Sequence, residues 1–203
     1  MSNISMTTSK RNAIVTVMLI SAFVSMLNQT ILNTALPAII KGLNITETTA
    51  QWLITGFMLV NGIMIPLTAF LMDKYSTRHL YIFSMAIFLI GSIVAAFSPT
   101  FTILMISRII QAIGAGILLP LMQFTVFTLF PAEQRGFAMG LAGVVVQSAP
   151  AIGPTLTGLF VDLFSWRMPF YLVSAIAAVA FILGFFFVEN NTKTKDIVLD
   201  KIS

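Results

Sequence analysis

The sequence predicts an all-α membrane protein with six transmembrane helices. Three observations carry that prediction. The 203 residues are 58% hydrophobic and only 9% charged, with a mean hydropathy of +0.97, whereas soluble domains carry about 25% charged residues. The apolar residues fall into six charge-poor runs of about the ~20 residues that cross a hydrocarbon core. Those runs are continuously apolar, which argues against a β-barrel, whose strands alternate over about 10 residues.

The spans follow in order. Asn12 to Pro37 (12-37) is the first, behind an N-terminal stretch (1-11) that ends in Lys10 and Arg11. Its apolar part is much longer than the h-region of a secretory signal and lacks a clear cleavage site, so it reads as a retained span. Residues 49-72 form the second span and 80-97 the third. Ser98-Pro99-Thr100 breaks the chain there, because proline lacks a donor and restrains its predecessor. Span four is 101-128, with one charge, Arg108. The short loop Pro131–Arg135 leads to span five, 136-161, and the loop 162-167 to span six, 168-188. A polar tail, 189-203, reads as a truncated linker.

Charge orients the bundle. Lys10, Arg11, Lys74, Arg78, Arg135, Lys193, Lys195 and Lys201 fall on one side, against Lys41 and Arg167 on the other. By the positive-inside rule both termini are expected in the cytoplasm. The net charge of +4 is thereby a topology signal, with no basic patch left for nucleic acid. Trp52 and Trp166 are expected at the outer membrane interface.

Polar groups inside the spans are the candidates for function. An arginine within a span costs several kcal/mol unless water or partners offset it. Arg108 lies roughly 12 Å past the outer turn; it either snorkels to the headgroups or faces a shielded cavity. Gln111, three residues on, shares its helix face. The stretch LNQTILNTALP, Leu27 to Pro37, holds Asn28, Gln29 and Asn33, and Asn28 lies at a depth of ~13 Å by the same helical rise. Amides in lipid are costly unless bonded. These side chains either glue helices together or line a solute cavity level with Arg108. Span five carries Gly140, Gly143, Ala149, Gly153, Thr157 and Gly158 in small-xxx-small spacing, which permits close backbone approach. Pro150 and Pro154 bend it, as Pro66 and Pro120 bend spans two and four. Kinked helices around a midplane site are a feature of secondary transporters.

Five stretches, in register from Leu27 to Val173, resemble the fourteen-span drug/proton antiporters of the major facilitator superfamily. LNQTILNTALP is similar to the first-helix motif L-D-x-T-I-V-N-V-A-L-P. TAFLMDKYSTRH resembles the loop motif G-x-L-a-D-r-x-G-r-k, keeping Asp73, Lys74 and Arg78, with Ala69 and Ser76 where glycines are usual. ISRIIQAIGAG resembles the fourth-helix motif, giving Arg108, Gln111, Gly114 and Gly116. APAIGPTLTG resembles the fifth-helix antiporter motif, giving Gly153, Pro154 and Gly158. SWRMPFYLV is similar to the stretch that opens the sixth helix.

The resemblance implies an N-terminal half-bundle of that fold and proton-driven export of hydrophobic or cationic drugs across the plasma (inner) membrane. It implies a gate role for Asp73, Lys74 and Arg78, and a part in proton coupling for Arg108. Two departures bear on this. The family's first-helix acid is Asn28 here, which cannot titrate, and no acid lies well inside any span. The chain also provides one six-helix half where such transporters rock two halves about a shared site. It is therefore expected to need a C-terminal helical half and not to transport alone.

Other classes fare worse. There is no cysteine and one histidine, His79, at a membrane edge, so no metal or haem site is expected and no cofactor. No G-x-S-x-G occurs, so an intramembrane enzyme is not expected. A channel or structural membrane subunit is the better rival. The 18 phenylalanines and 12 methionines suit an adaptable apolar pocket or simply face lipid.

Overall fold

The computed structural model describes residues 7–188, and they form six helices: α1 (Thr8–Leu43), α2 (Glu47–Lys74), α3 (Thr77–Ala96), α4 (Phe101–Leu129), α5 (Ala132–Leu163) and α6 (Met168–Phe187). All six are long and apolar enough to cross a membrane. The protein is an all-α membrane protein. The tail 189-203, with Lys193, Lys195 and Lys201, lies outside the described residues.

Local chemistry sets the helix ends. Thr46, Ser76 and Thr100 precede α2, α3 and α4, and each side-chain oxygen accepts from a backbone N–H of the first turn. Glu47 and Glu133 sit in the first turns of α2 and α5, and Lys41 and Lys74 in the last turns of α1 and α2, where the helix dipole favours them. Asn44 ends α1 in the left-handed region, φ 50°, a conformation asparagine tolerates. Helix α1 runs through Pro37 to Leu43, beyond the charge-free interval. Pro66, Pro120, Pro150 and Pro154 likewise lie within continuous helices; proline is tolerated in membrane helices because neighbouring groups re-satisfy the freed backbone.

Contacts between helix ends give the arrangement. The Arg11 guanidinium stacks 4.4 Å from the Phe130 ring centre, and Arg135 lies 4.3 Å from that of Phe127 while donating to the Phe130 carbonyl at 3.0 Å. The starts of α1 and α5 thus meet the end of α4. Arg78 at the start of α3 donates to the carbonyl of Phe185 near the end of α6 at 3.2 Å. At the opposite end, Arg167 donates to the Ser98 carbonyl at 2.9 Å. Trp166, expected in an interfacial belt, is instead buried, packing edge-on to Phe170. Glycine at 42 makes room for it, since a Cβ there would run into the indole. Trp52 is exposed.

Helices α3 and α4 approach closely because Gly114 lies against the Ser84 carbonyl and the Phe88 backbone, and Gly91 against the backbone of Ser107 and Gln111. On the α1–α5 contact, Gly153 faces Thr30. Helix α1 is largely buried, whereas α2 and α5 leave most of their surface uncovered. On those helices a Cβ at Gly62, Gly136, Gly140, Gly143 or Gly158 would meet nothing within 4 Å.

A buried polar layer and an open amide stripe

Hydroxyls within the bundle are satisfied locally. Ser84, Ser92, Ser107, Thr125 and Thr157 each donate to a carbonyl three or four residues back. Tyr81, fully buried on α3, donates to the Ala180 carbonyl of α6 at 2.9 Å and lies 2.7 Å from Ser21 Oγ of α1.

One network is different, because it joins helices through side chains alone. Arg108 on α4 is 1% exposed, and Asn28 on α1 and Gln111 on α4 are fully buried. Arg108 Nη1 donates to Gln111 Oε1 at 2.8 Å. The Gln111 Nε2 group donates to Ser92 Oγ on α3 at 3.0 Å and to Asn28 Oδ1 at 3.4 Å. The guanidinium lies 4.1 Å from the ring centre of Phe57 on α2, a cation–π contact that strengthens when desolvated. Four helices therefore meet at this layer. Arg108 Nε and Asn28 Nδ2 are buried without a hydrogen-bond partner.

Arg108 does not reach the headgroups; of the two environments open to it, the shielded one holds. No salt bridge reaches it among the described residues. The described carboxylates, Glu47, Asp73, Glu133 and Asp162, all lie at helix ends. Asparagine at 28 completes a charge-free surround for Arg108, the one buried cation among the described residues.

The five polar residues singled out in the sequence thus divide. Asn28, Arg108 and Gln111 are brought together inside the bundle. Gln29 is half-buried and Asn33 exposed, on a face of α1 that also carries Thr16 and Pro37 and has no covering helix. The gate-loop residues sit at one end of the molecule: Asp73 and Lys74 are exposed in the last turn of α2, and Arg78 bonds to α6. Of the α5 motif, Gly153 packs on α1, Pro150 and Gly158 are half-buried, and Pro154 is exposed. Sequence reasoning missed Ser92 and Phe57. A serine in the apolar run of α3 is a signal for the first, though Ser84 shares that run; nothing marks Phe57 among 18 phenylalanines.

Comparison with known proteins agrees with this architecture. The family model described as the Major Facilitator Superfamily matches residues 18–201. The chain is 50% identical over 193 residues to "Uncharacterized MFS-type transporter YcnB" of Bacillus subtilis, covering 95% of this chain and 41% of that protein. It is 39% identical over 186 residues to "Lincomycin resistance protein LmrB" of Bacillus subtilis, covering 92% of this chain and 39% of the relative. To "Probable multidrug resistance protein EmrY" of Escherichia coli it is 35% identical over 153 residues, 75% of this chain and 30% of the relative. The chain thus spans between 30% and 41% of the length of these curated relatives.

Proposed function

The chain belongs to the major facilitator superfamily, and from that premise we propose that it forms the N-terminal six-helix half (12-188) of a proton-coupled antiporter. In this reading the protein exports hydrophobic or cationic drugs across the plasma membrane. Its termini lie in the cytoplasm, and the tail 189-203 leads toward a second helical half. The chain does not transport without that half, whose docking covers α2 and α5.

The observation that carries this reading is the retention of Arg108 at full burial. A guanidinium held in an apolar bundle without a carboxylate costs several kcal/mol, and packing alone gives no reason to keep it. Relatives named for lincomycin and multidrug resistance support drugs as the solute. The Arg108–Gln111–Asn28 layer then couples solute binding to the arrangement of α1, α3 and α4. Gln29 and Asn33 face the solute chamber. Asp73, Lys74 and Arg78 gate its cytoplasmic side, and Pro150, Gly153, Pro154 and Gly158 shape α5 along it. With Asn28 unable to titrate, the proton is carried outside these six spans.

The test is a chimera in which this chain replaces the segment of YcnB that it matches. Produced in a drug-hypersusceptible host, it is expected to raise resistance to lincomycin or other hydrophobic antibiotics, and a protonophore should abolish the effect. The 203-residue chain alone is expected to give no resistance. A well-inserted chimera that confers none, or resistance indifferent to the protonophore, overturns the proposal.

A further inference from the structure

A crevice of about 250 Å³ opens between α1, α4 and α5. Its floor is Met122, Ala142 and Val146, all buried. Met26 and Met139, half-buried, form its walls, and the exposed carboxamides of Gln123 and Gln147 form its rim. Gly143 also lines it, and a Cβ at that position would meet nothing within 4 Å. The crevice lies beside the buried polar layer and shares no residue with it: on α4 Leu119 and Met122 follow Gln111 by roughly 12 and 16 Å, while on α1 Met26 precedes Asn28 by two residues.

We propose that this crevice is a subsite for an uncharged aromatic group of the exported solute. The proposal rests on the exporter reading above and narrows it. Three thioethers around one small space suit a ring, because sulfur makes favourable contacts with aromatic edges and the unbranched chain adapts to its shape. The two rim carboxamides each offer donors and an acceptor, so they fit an uncharged amide, amine or hydroxyl substituent. No ionisable side chain lines the crevice. A cation bound here would be desolvated without a counter-charge, which is strongly unfavourable. The volume lies below the ~300–1,000 Å³ of a site for a whole drug-sized molecule. It therefore takes one ring system, and the rest of the solute extends past the glutamines.

The whole chain in lipid nanodiscs, labelled with ¹³C at its methionine methyl groups, tests this. The probes are N-phenyl-1-naphthylamine, an uncharged aromatic amine, and ethidium, a permanent cation. The uncharged dye is expected to shift the methyls of Met26, Met122 and Met139 saturably, leaving the exposed Met58 unmoved, while ethidium at equal concentration shifts none of the three. Gly143→Leu projects a side chain into the crevice from a position whose Cβ has no neighbour within 4 Å and should weaken the apparent affinity at least tenfold, the rest of the spectrum being retained. Gln147→Glu should make ethidium shift the same methyls. The subsite is refuted if Met58 moves as much as the three, which would mean partitioning into lipid. It is equally refuted if ethidium matches the uncharged dye in the unaltered chain, or if Gly143→Leu changes nothing. The YcnB chimera reports on the exporter reading separately: export with unmoved methyls removes the subsite and leaves the exporter, and shifted methyls without export do the reverse.

Discussion

The guanidinium of Arg108 rests on the face of Phe57, 4.1 Å from its ring centre, while donating at 2.8 Å to Gln111. A helix α2 aromatic and a helix α4 amide thus stand where a carboxylate would be expected. For the proposed exporter the arrangement separates what stability needs from what transport would need, and mutations can pull the two apart.

Replacing Arg108 by methionine removes the charge and keeps an unbranched side chain. A buried charge without a counter-ion carries a desolvation cost that an apolar side chain of similar length does not. Arg108→Met should therefore melt at or above the parent temperature in detergent while abolishing protonophore-sensitive efflux by the chimera. Gln111→Leu has the opposite expectation, since it leaves the cation without its acceptor. A loss of about 1.5–3 kcal/mol, the worth of a hydrogen bond to a charged group, should appear in the melting curve.

Asn28 contributes a single long hydrogen bond through Oδ1 and buries an unpaired Nδ2. Asn28→Leu removes both. Gln111 Nε2 keeps Ser92 at 3.0 Å, so stability should change by no more than about 1 kcal/mol. A structural glue role predicts unaltered efflux in that variant. The role proposed here predicts a drop of tenfold or more in export rate or a changed drug range, read from accumulation assays in the chimera.

Thr30 and Gly153 mark a close contact of α1 with α5. A Cβ on Gly153 would run into Thr30 Oγ1 and lie 3.2 Å from its Cβ and 3.3 Å from Leu27 Cδ1. Gly153→Ala should destabilise by about 1–3 kcal/mol through overpacking. Thr30→Ala should restore much of that loss in a double-mutant cycle. Gly140→Ala, with no neighbour near its Cβ, should instead gain up to about 1 kcal/mol from helix propensity. Thermal unfolding of the four variants separates the cases.

Tyr81→Phe deletes the bond to the Ala180 carbonyl that ties α3 to α6. Ser21 retains the Val17 carbonyl at 2.8 Å, so no donor is orphaned. The cost should stay near 0.5–1.5 kcal/mol, measurable as a modest fall in midpoint with wild-type export in the chimera.

The helices were legible from the spacing of charges, because one side of a membrane helix cannot hide an ionised group. The helix ends were less so: α1 continues past Pro37, where hydropathy ends but hydrogen bonding does not. Within the polar layer, the pairing of Arg108 with Gln111 followed from their i, i+3 spacing. Asn28 was placed with them from depth alone. Gln29 shares its depth but not its helix face, Asn33 lies about 7.5 Å further along α1, and the amides of that one motif could not be sorted by face without the packing of α3 and α4. The Met–Gln crevice was invisible for a related reason. Its residues come from three helices, and each on its own is ordinary membrane filler.

The same chain of contacts has a mechanical corollary. Arg11 and Arg135 clasp the phenylalanines at one end of α4, Arg108 ties four helices at the waist, and Arg167 links α6 to the far end of α3. Three girdles at three heights leave little compliance between the helices they bind. In the proposed exporter, any stroke larger than a side-chain adjustment would be borne as a tilt of the whole cylinder, with slippage confined to the glycine-bearing outer flanks of α2 and α5.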